Sequence, residues 1–205
     1  MFAHVRIAFV LLLAMTLLTG VVYPLFVTAA GQALFNDRAN GSLLLRDGRV
    51  RGSALIGQSF SDAKYFWPRP SATGPMPYNA ASSSGSNLAL SNPAWTEAIQ
   101  TRVAALRSAD PGNTAPVPID LVTTSASGLD PHISPAAARC QAARVARARG
   151  LSVAAVERLI DHLTEPRQWG ILGAPRVNVL RLNLELDHPG WGFDRPKDHS
   201  WKDPI

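Results

Sequence analysis

The sequence predicts an α+β protein: a single N-terminal transmembrane helix followed by one mixed extracytoplasmic domain containing a hairpin, three helices and a late strand. Three observations predict it. A long uncharged apolar run opens the chain, an Asp-Gly pair sits between two strand-like runs, and two cap-then-proline pairs precede helical patterns.

Residues Ile7 to Ala30 read IAFVLLLAMTLLTGVVYPLFVTAA without a charge. At about 1.5 Å per residue a helix of that length reaches roughly 36 Å, enough to cross a hydrocarbon core of roughly 30 Å. Gly20 and Pro24 are poor residues for a soluble helix interior but are tolerated in a membrane, where they mark a face for a partner helix. A cleaved signal peptide is the competing reading, because Val27-Thr28-Ala29 is a small-residue site. The run is longer than the roughly 7–15 apolar residues of a signal sequence, which favours a retained anchor. Residues 1–6 are then a cytoplasmic N-terminus and 31–187 an extracytoplasmic domain. Arg38, Arg46, Arg49 and Arg51 follow the span, so charge alone does not fix its orientation. Long domains cross largely regardless of charge, and a short basic N-terminus before a first span usually stays inside.

The chain carries 20 basic and 15 acidic residues, for a net charge of +5. Its arginines are interspersed with carboxylates and form no basic stripe with interleaved aromatics, so nucleic acid is not an expected partner. The densest run, Arg139 to Arg149, reads as a solvated helix face. One cysteine, Cys140, excludes an internal disulfide and a cysteine metal cage, and its alanine-rich surroundings predict a small buried side chain.

The stretch SLLLRDGRVRGSALI predicts a hairpin, because both central positions of a type I′ turn need positive φ and Asp47-Gly48 supplies them. Pro68 to Pro93 shows no helical or strand period and is rich in Pro, Ser, Gly and Asn. Loops of that length inside compact domains are usually functional or disordered. Arg69, Tyr78, Asn79 and Asn87 favour an ordered contact loop over a linker. Asn92-Pro93 starts the first helix of the domain, which runs to about Ser108. Ile119 to Thr123 is expected as a short buried strand. Ser134-Pro135 starts a second helix that stops at Gly150, and Ser152 caps a third over Val153 to Leu163. Leu180, Leu182, Leu184 and Leu186 alternate with Arg181, Asn183 and Glu185, a period of two that favours a half-buried strand. A helix also fits there, since leucine is not a strong strand former. The tail, 188–205, is polar and expected to be irregular.

No phosphate-binding G-x-x-x-x-G-K-[ST] loop, G-x-S-x-G elbow or H-E-x-x-H pair occurs, and no metal site is expected from the five histidines. Ser125, Ser127, Asp130 and His132 lie close in sequence and suggest an anchored hydrolase as the alternative function. Triads are assembled from distant segments, however, and turn and cap hydrogen bonds are the simpler employment for these residues. No catalytic residue is assigned. From its residues the chain reads as a binding or assembly module.

Several ordered blocks carry a resemblance. They are GSALIGQSF (Gly52 to Phe60), YFWPRPSATGPMPYNAASSSGSNL (Tyr65 to Leu88), Asn92-Pro93, Val117 to Leu151 and GAPRVNVLRLNLELD (Gly173 to Asp187). With the single N-terminal span, they resemble the C-subunit (KdpC) family of the Kdp potassium-transporting P-type ATPase. Ala174 departs from the family pattern, which often has an acidic residue there. The resemblance implies an accessory subunit in the bacterial inner membrane. Its partners would be a channel-like potassium-translocating subunit, a P-type ATPase subunit, a small membrane subunit and the lipid bilayer. The family is described as a catalytic chaperone that raises ATP affinity of the ATPase subunit, and this makes Gln141 and its helix a candidate contact. ATP would reach the chain only through that partner or a transient ternary complex, and no cofactor is expected on the chain itself. The other implied role is a cap on the conducting subunit. Contact candidates in the loop are Arg69, Tyr78, Asn79, Ser86 and Asn87, with Gly20 and Pro24 in the span.

Overall fold

The computed structural model describes residues 2–188. The chain is α+β, and its described residues form two compact units, 2–43 and 44–188. Most of the expectation of an irregular tail, including His199, lies outside the described residues.

In the first unit α1 (Phe2–Leu17), a π-helical turn (Leu18–Val22) and α2 (Tyr23–Leu34) run on as one helix of 33 residues. The helix therefore extends beyond the expected span, Ile7 to Ala30, at both ends. None of its hydropathic window is buried in the chain, so lipid or a partner helix must cover it. The π turn has a local cause. Pro24 lacks the N–H for an α-helical bond and its ring crowds the preceding carbonyls. The turn widens just before it, with Tyr23 N–H donating to the Leu18 carbonyl, five residues back. Thr19 Oγ1 donates to the Met15 carbonyl at 2.7 Å, and a Cβ built on Gly20 would meet nothing within 4 Å. The exit is polar. Gln32 accepts from Asn36 Nδ2 at 3.1 Å and Asn40 Nδ2 at 3.0 Å across the short helix α3 (Asn36–Ala39).

The second unit opens with the expected hairpin, β1 (Leu43–Arg46) and β2 (Arg49–Ser53), turning through Asp47 at φ 51° and Gly48 at φ 71°. Helix α4 (Pro93–Ala109) starts where Asn92 Oδ1 accepts the Ala94 N–H. The segment expected as a strand at Ile119 is instead a 3₁₀ turn, Ile119–Leu121, in which Leu121 is buried. Asp120 at its centre accepts the Ser134 N–H at 2.6 Å, which ties the turn to the next helix start. Strand β3 (His132–Ile133) then leads through the Ser134 cap into α5 (Pro135–Arg149), which ends at Gly150 with φ 66°. Ser152 caps α6 (Val153–His162). Strands β4 (Thr164–Glu165) and β5 (Arg176–Asn178) complete an antiparallel sheet of order β3-β5-β4, with Ile133 and Thr164 both opposite Val177.

The late strand is shorter than expected, and the alternating leucines are helical. β5 ends at Asn178, whose Oδ1 accepts the Arg181 N–H and caps α7 (Val179–Leu186). In a helix, residues two apart point to opposite faces and residues four apart share one. Leu182 and Leu186 therefore enter the main core, whereas Leu180 and Leu184 pack with Leu44 and Ala54 under the hairpin. A helix buried on two sides imitates the period of a strand. The main core is centred on α5 and α6, where Ala138, Ala142 and Val145 meet Val156, Leu159 and Ile160.

The arginines of α5 also differ from a solvated face. Arg139 does pair with Asp161 at the surface. Arg144 is buried, and Arg149 donates to the Lys64 and Leu186 carbonyls and to Asp187. They staple the preceding loop to the helix.

That loop crosses the core without a strand partner, so its backbone groups need side-chain partners. Phe66 is fully buried. Its N–H donates to Asn183 Oδ1 at 2.8 Å and its carbonyl accepts from Asn183 Nδ2 at 3.0 Å. Asn183→Ala would orphan both groups at about 1–3 kcal/mol each. The expected loss, about 3 kcal/mol, should appear in denaturant unfolding of the full chain in mild detergent. Exposed Asn87→Asp, which keeps a residue tolerant of the left-handed backbone at φ 50°, should stay within about 0.5 kcal/mol. Equal, small effects of the two variants would contradict the clamp.

Candidate functional site

The site is the long loop from Pro68 to Pro93 with the segment it lies against, 124–132. It starts from a fixed point. One residue after Phe66, Trp67 N–H donates to Gln141 Oε1 at 2.8 Å and Gln141 Nε2 donates back to the Trp67 carbonyl at 3.1 Å. Gln141 is only 3% exposed. Arg144 donates to the same Gln141 oxygen at 2.7 Å and to the Ala63 carbonyl at 2.6 Å, and its guanidinium stacks 4.4 Å from the Trp67 ring centre. Burial pushes the Arg144 guanidinium down to about 10, so it remains charged at neutral pH. The chain therefore leaves the core in one direction.

The loop is then locked by its own polar side chains. Arg69 pairs with Asp130 at 3.1 Å and donates to the Thr124 carbonyl at 3.3 Å. The Tyr78 hydroxyl donates to the Arg69 carbonyl. Burial, with the Asp130 charge nearby, raises the Tyr78 phenol and keeps it protonated. Ser71 Oγ donates to the Gly128 carbonyl at 2.6 Å and accepts the Tyr78 N–H. Thr73 Oγ1 accepts the Asn79 N–H at 3.0 Å, and Asn79 Nδ2 closes the turn onto the Gly74 carbonyl at 2.8 Å. Farther on, Ser84 N–H and Ser83 Oγ both donate to the Ser127 carbonyl at 3.0 Å. Two glycines permit this approach. A Cβ on Gly128 would come within 2.5 Å of the Ser84 carbonyl oxygen, and one on Gly57 within 2.4 Å of the Tyr78 ring.

The candidate residues thus divide by position. Arg69, Tyr78 and Asn79 come together inside the loop and hold its shape. Gln141 lies in the clamp beneath it. Ser86 and Asn87 face outward: Ser86 receives one bond, from Thr124 Oγ1 at 3.3 Å, and Asn87 sits at φ 50° with its side chain unbonded among the described residues. Sequence reasoning missed the apolar neighbours. Met76, Leu88 and Leu90 are exposed on the same loop, and their signal was the presence of large apolar residues within a Ser- and Pro-rich run.

The Ser-Asp-His cluster is drawn together only in part. His132 Nδ1 lies 3.4 Å from Asp130 Oδ1, but neither Ser125 nor Ser127 bonds to His132, and Ser125 is buried. Asp130 instead joins Arg69 to the start of β3. Among the described residues no group of three His, Cys, Asp or Glu side chains is placed to hold a metal. Cys140 is half-buried at the rim of a small cavity beside Arg107 and Asp110.

The profile of one family, described as "KdpC: K+-transporting ATPase, c chain", matches residues 5–188. The chain belongs to the KdpC family. A "Potassium-transporting ATPase KdpC subunit" of Methylococcus capsulatus is 64% identical over 187 residues, 91% of this chain and 98% of that protein. One from Methylibium petroleiphilum is 64% identical over 182 residues, 89% of this chain and 95% of that protein. As a KdpC subunit, the chain is part of a membrane transport ATPase, and the apolar helix Phe2–Leu34 suits that setting.

Asp130 is the electrostatic centre of the loop. Burial pushes its carboxyl up, but hydrogen bonds from the His132 side chain and backbone, with the Arg69 charge, outweigh this and hold it below its ordinary value. A depressed carboxylate stabilises the fold above its unfolded value of about 4, and that contribution fades as pH falls through the lower folded value. Asp130→Asn should therefore destabilise the full chain at neutral pH, with the difference from wild type shrinking below about pH 4. Unfolding curves across pH check this; a difference that grows on acidification would contradict it.

Proposed function

We propose that the chain is a non-catalytic accessory subunit of the potassium-importing complex. It holds its domain on the extracytoplasmic side of the inner membrane and docks through the outer face of the locked loop. The observation that carries the reading is the loop itself, in which Arg69, Ser71, Thr73, Tyr78 and Asn79 bond within the domain, Arg69 Nε excepted, while Ser86, Asn87, Leu88 and Leu90 face outward. A loop ordered before binding does not lose that freedom on docking, and apolar residues beside free amide donors suit an interface core with a polar edge. The partners are the channel-like potassium-translocating subunit, the P-type ATPase subunit and the small membrane subunit. In the span, the open space over Gly20 and the widened turn before Pro24 suit close packing of a partner helix.

Domain placement decides between the two implied mechanisms. A domain outside the membrane cannot touch cytoplasmic nucleotide, so any effect on ATP affinity passes through the span and partner subunits. Gln141, held by Trp67 and Arg144, acts in this reading by fixing the loop. A stabilising cap on the conducting subunit fits the exposed face better than a direct nucleotide contact.

Extraction of the full-length chain from its native membrane in mild detergent should recover a P-type ATPase with a larger channel-like protein. Asn87→Asp with Leu90→Ser, and separately Gly20→Leu, should each lower that recovery several-fold without changing the unfolding of the chain. Unchanged recovery in both would remove these contacts, and recovery of the chain alone would remove the assembly role. Ala81→Cys in a Cys140→Ser background should react with a membrane-impermeant maleimide in the periplasm, which checks the side of the membrane.

A further inference from the structure

The connection between β4 and β5 carries a feature that loop docking does not use. Pro166 to Arg176 reads PRQWGILGAPR, with two arginines and no carboxylate. Its middle folds into a tight hairpin. Gln168 N–H donates to the Leu172 carbonyl at 2.9 Å and Leu172 N–H donates back at 3.0 Å. Gly170 N–H donates to the Arg167 carbonyl at 3.0 Å and Ile171 N–H to the Gln168 carbonyl at 3.2 Å. At the apex Trp169 adopts φ 53° and Gly170 φ 78°. A bulky aromatic in the left-handed region is disfavoured, and here its ring gains no burial in return. Trp169 is 80% exposed, Ile171 73% and Leu172 49%, so three large apolar side chains project from one protruding tip.

We propose that this tip is a membrane-surface anchor: Trp169 and Ile171 enter the boundary between headgroups and acyl chains, and Arg167 meets the phosphates of anionic phospholipid. Four observations favour a bilayer as occupant. The exposed side chains stand on a tight turn of four residues, which suits insertion into a surface. It closes its own backbone hydrogen bonds, and so can enter a low-dielectric layer without orphaning most of its peptide groups. Its residue types, tryptophan with aliphatics beside arginine, are those that settle at membrane interfaces. Its charge is complementary to an anionic surface. Arg167 makes no ion pair among the described residues, while Glu165 at the base is taken by Arg176 at 2.8 Å. The bilayer is also at hand, because the chain carries its own spanning helix. Tethering raises the local concentration of lipid surface, so a tip of only three apolar side chains suffices to engage it. Anchoring there would limit the tumbling of the domain about its tether, whichever subunit meets Leu90.

The test uses the full-length chain, alone, in vesicles of phosphatidylethanolamine and phosphatidylglycerol, some containing phosphatidylcholine brominated near the top of its acyl chains. The difference in emission between wild type and Trp169→Phe isolates Trp169 from the four other tryptophans. It should be blue-shifted, lose most of its intensity to the brominated lipid, and regain it in Arg167→Glu. Vesicles of phosphatidylcholine alone should give the same recovery. Because the domain meets a lipid surface in either orientation, the outcome does not depend on which side it occupies. Emission typical of tryptophan in water, insensitive to brominated lipid and open to aqueous iodide, would overturn the proposal. If Trp169 is open in vesicles of the chain alone but shielded from iodide in the intact complex, the tip belongs to a partner subunit, which also overturns it without touching the assembly role.

Discussion

A peptide group inside a protein must find a hydrogen-bond partner, and where the chain passes through the core outside a sheet only side chains can provide it. At Phe66 and Trp67 two buried amides do so, Asn183 from α7 and Gln141 from α5, each bonding both the N–H and the carbonyl of one residue. Arg144 completes the arrangement by fixing the orientation of Gln141 and covering the Trp67 ring. These contacts join segments more than 70 residues apart, so the long loop that follows starts from a defined place. Its shape is then kept by a second set of bonds centred on Asp130 and Ser71. Loss of the first set would leave the second with no fixed end.

The same economy explains how basic residues are used. The run from Arg139 to Arg149 reads in sequence as a solvated face, yet several arginines of the chain act inside the domain by donating to backbone carbonyls. Arg46 reaches the Leu184 and Asp187 carbonyls at the C-terminal end of α7, Arg102 the Val122 carbonyl, and Arg149 the Lys64 and Leu186 carbonyls. A planar guanidinium with five donors is suited to bridging irregular segments that have no ladder of their own. In a domain with short strands, such bridges replace part of the sheet. The span follows another rule: its exposed apolar surface is unstable in water, and only lipid or a second helix satisfies it.

Much of this was legible where the signal is local. The Asp47-Gly48 turn, the Asn92, Ser134 and Ser152 caps and the Gly150 stop each depend on a few adjacent residues, and each stands where its residues place it. The leucines after Asn178 misled because burial on two sides of a helix gives the same alternation as burial on one side of a strand. Ile119 misled because Asp120 bonds a distant N–H and tightens the segment into a turn. In the candidate site, the loop's composition drew attention to Arg69 and Tyr78 and the resemblance to Gln141, but neither could tell an internal tie from an outward contact. Asn183, Arg144 and Trp169 carried no local sign of their roles. Their partners lie far away in sequence, or, for Trp169, outside the chain.

Backbone hydrogen exchange, measured residue by residue on the full chain in lipid nanodiscs and again on the assembled complex, tests the account most directly. The account predicts slow exchange at Phe66, Trp67 and Tyr78 in both states, since their N–H groups are held by Asn183, Gln141 and Ser71. It predicts fast exchange at Asn87 and Leu88 in the chain alone, slowed on assembly. Fast exchange at Phe66 and Trp67 in the chain alone would contradict a loop locked before docking.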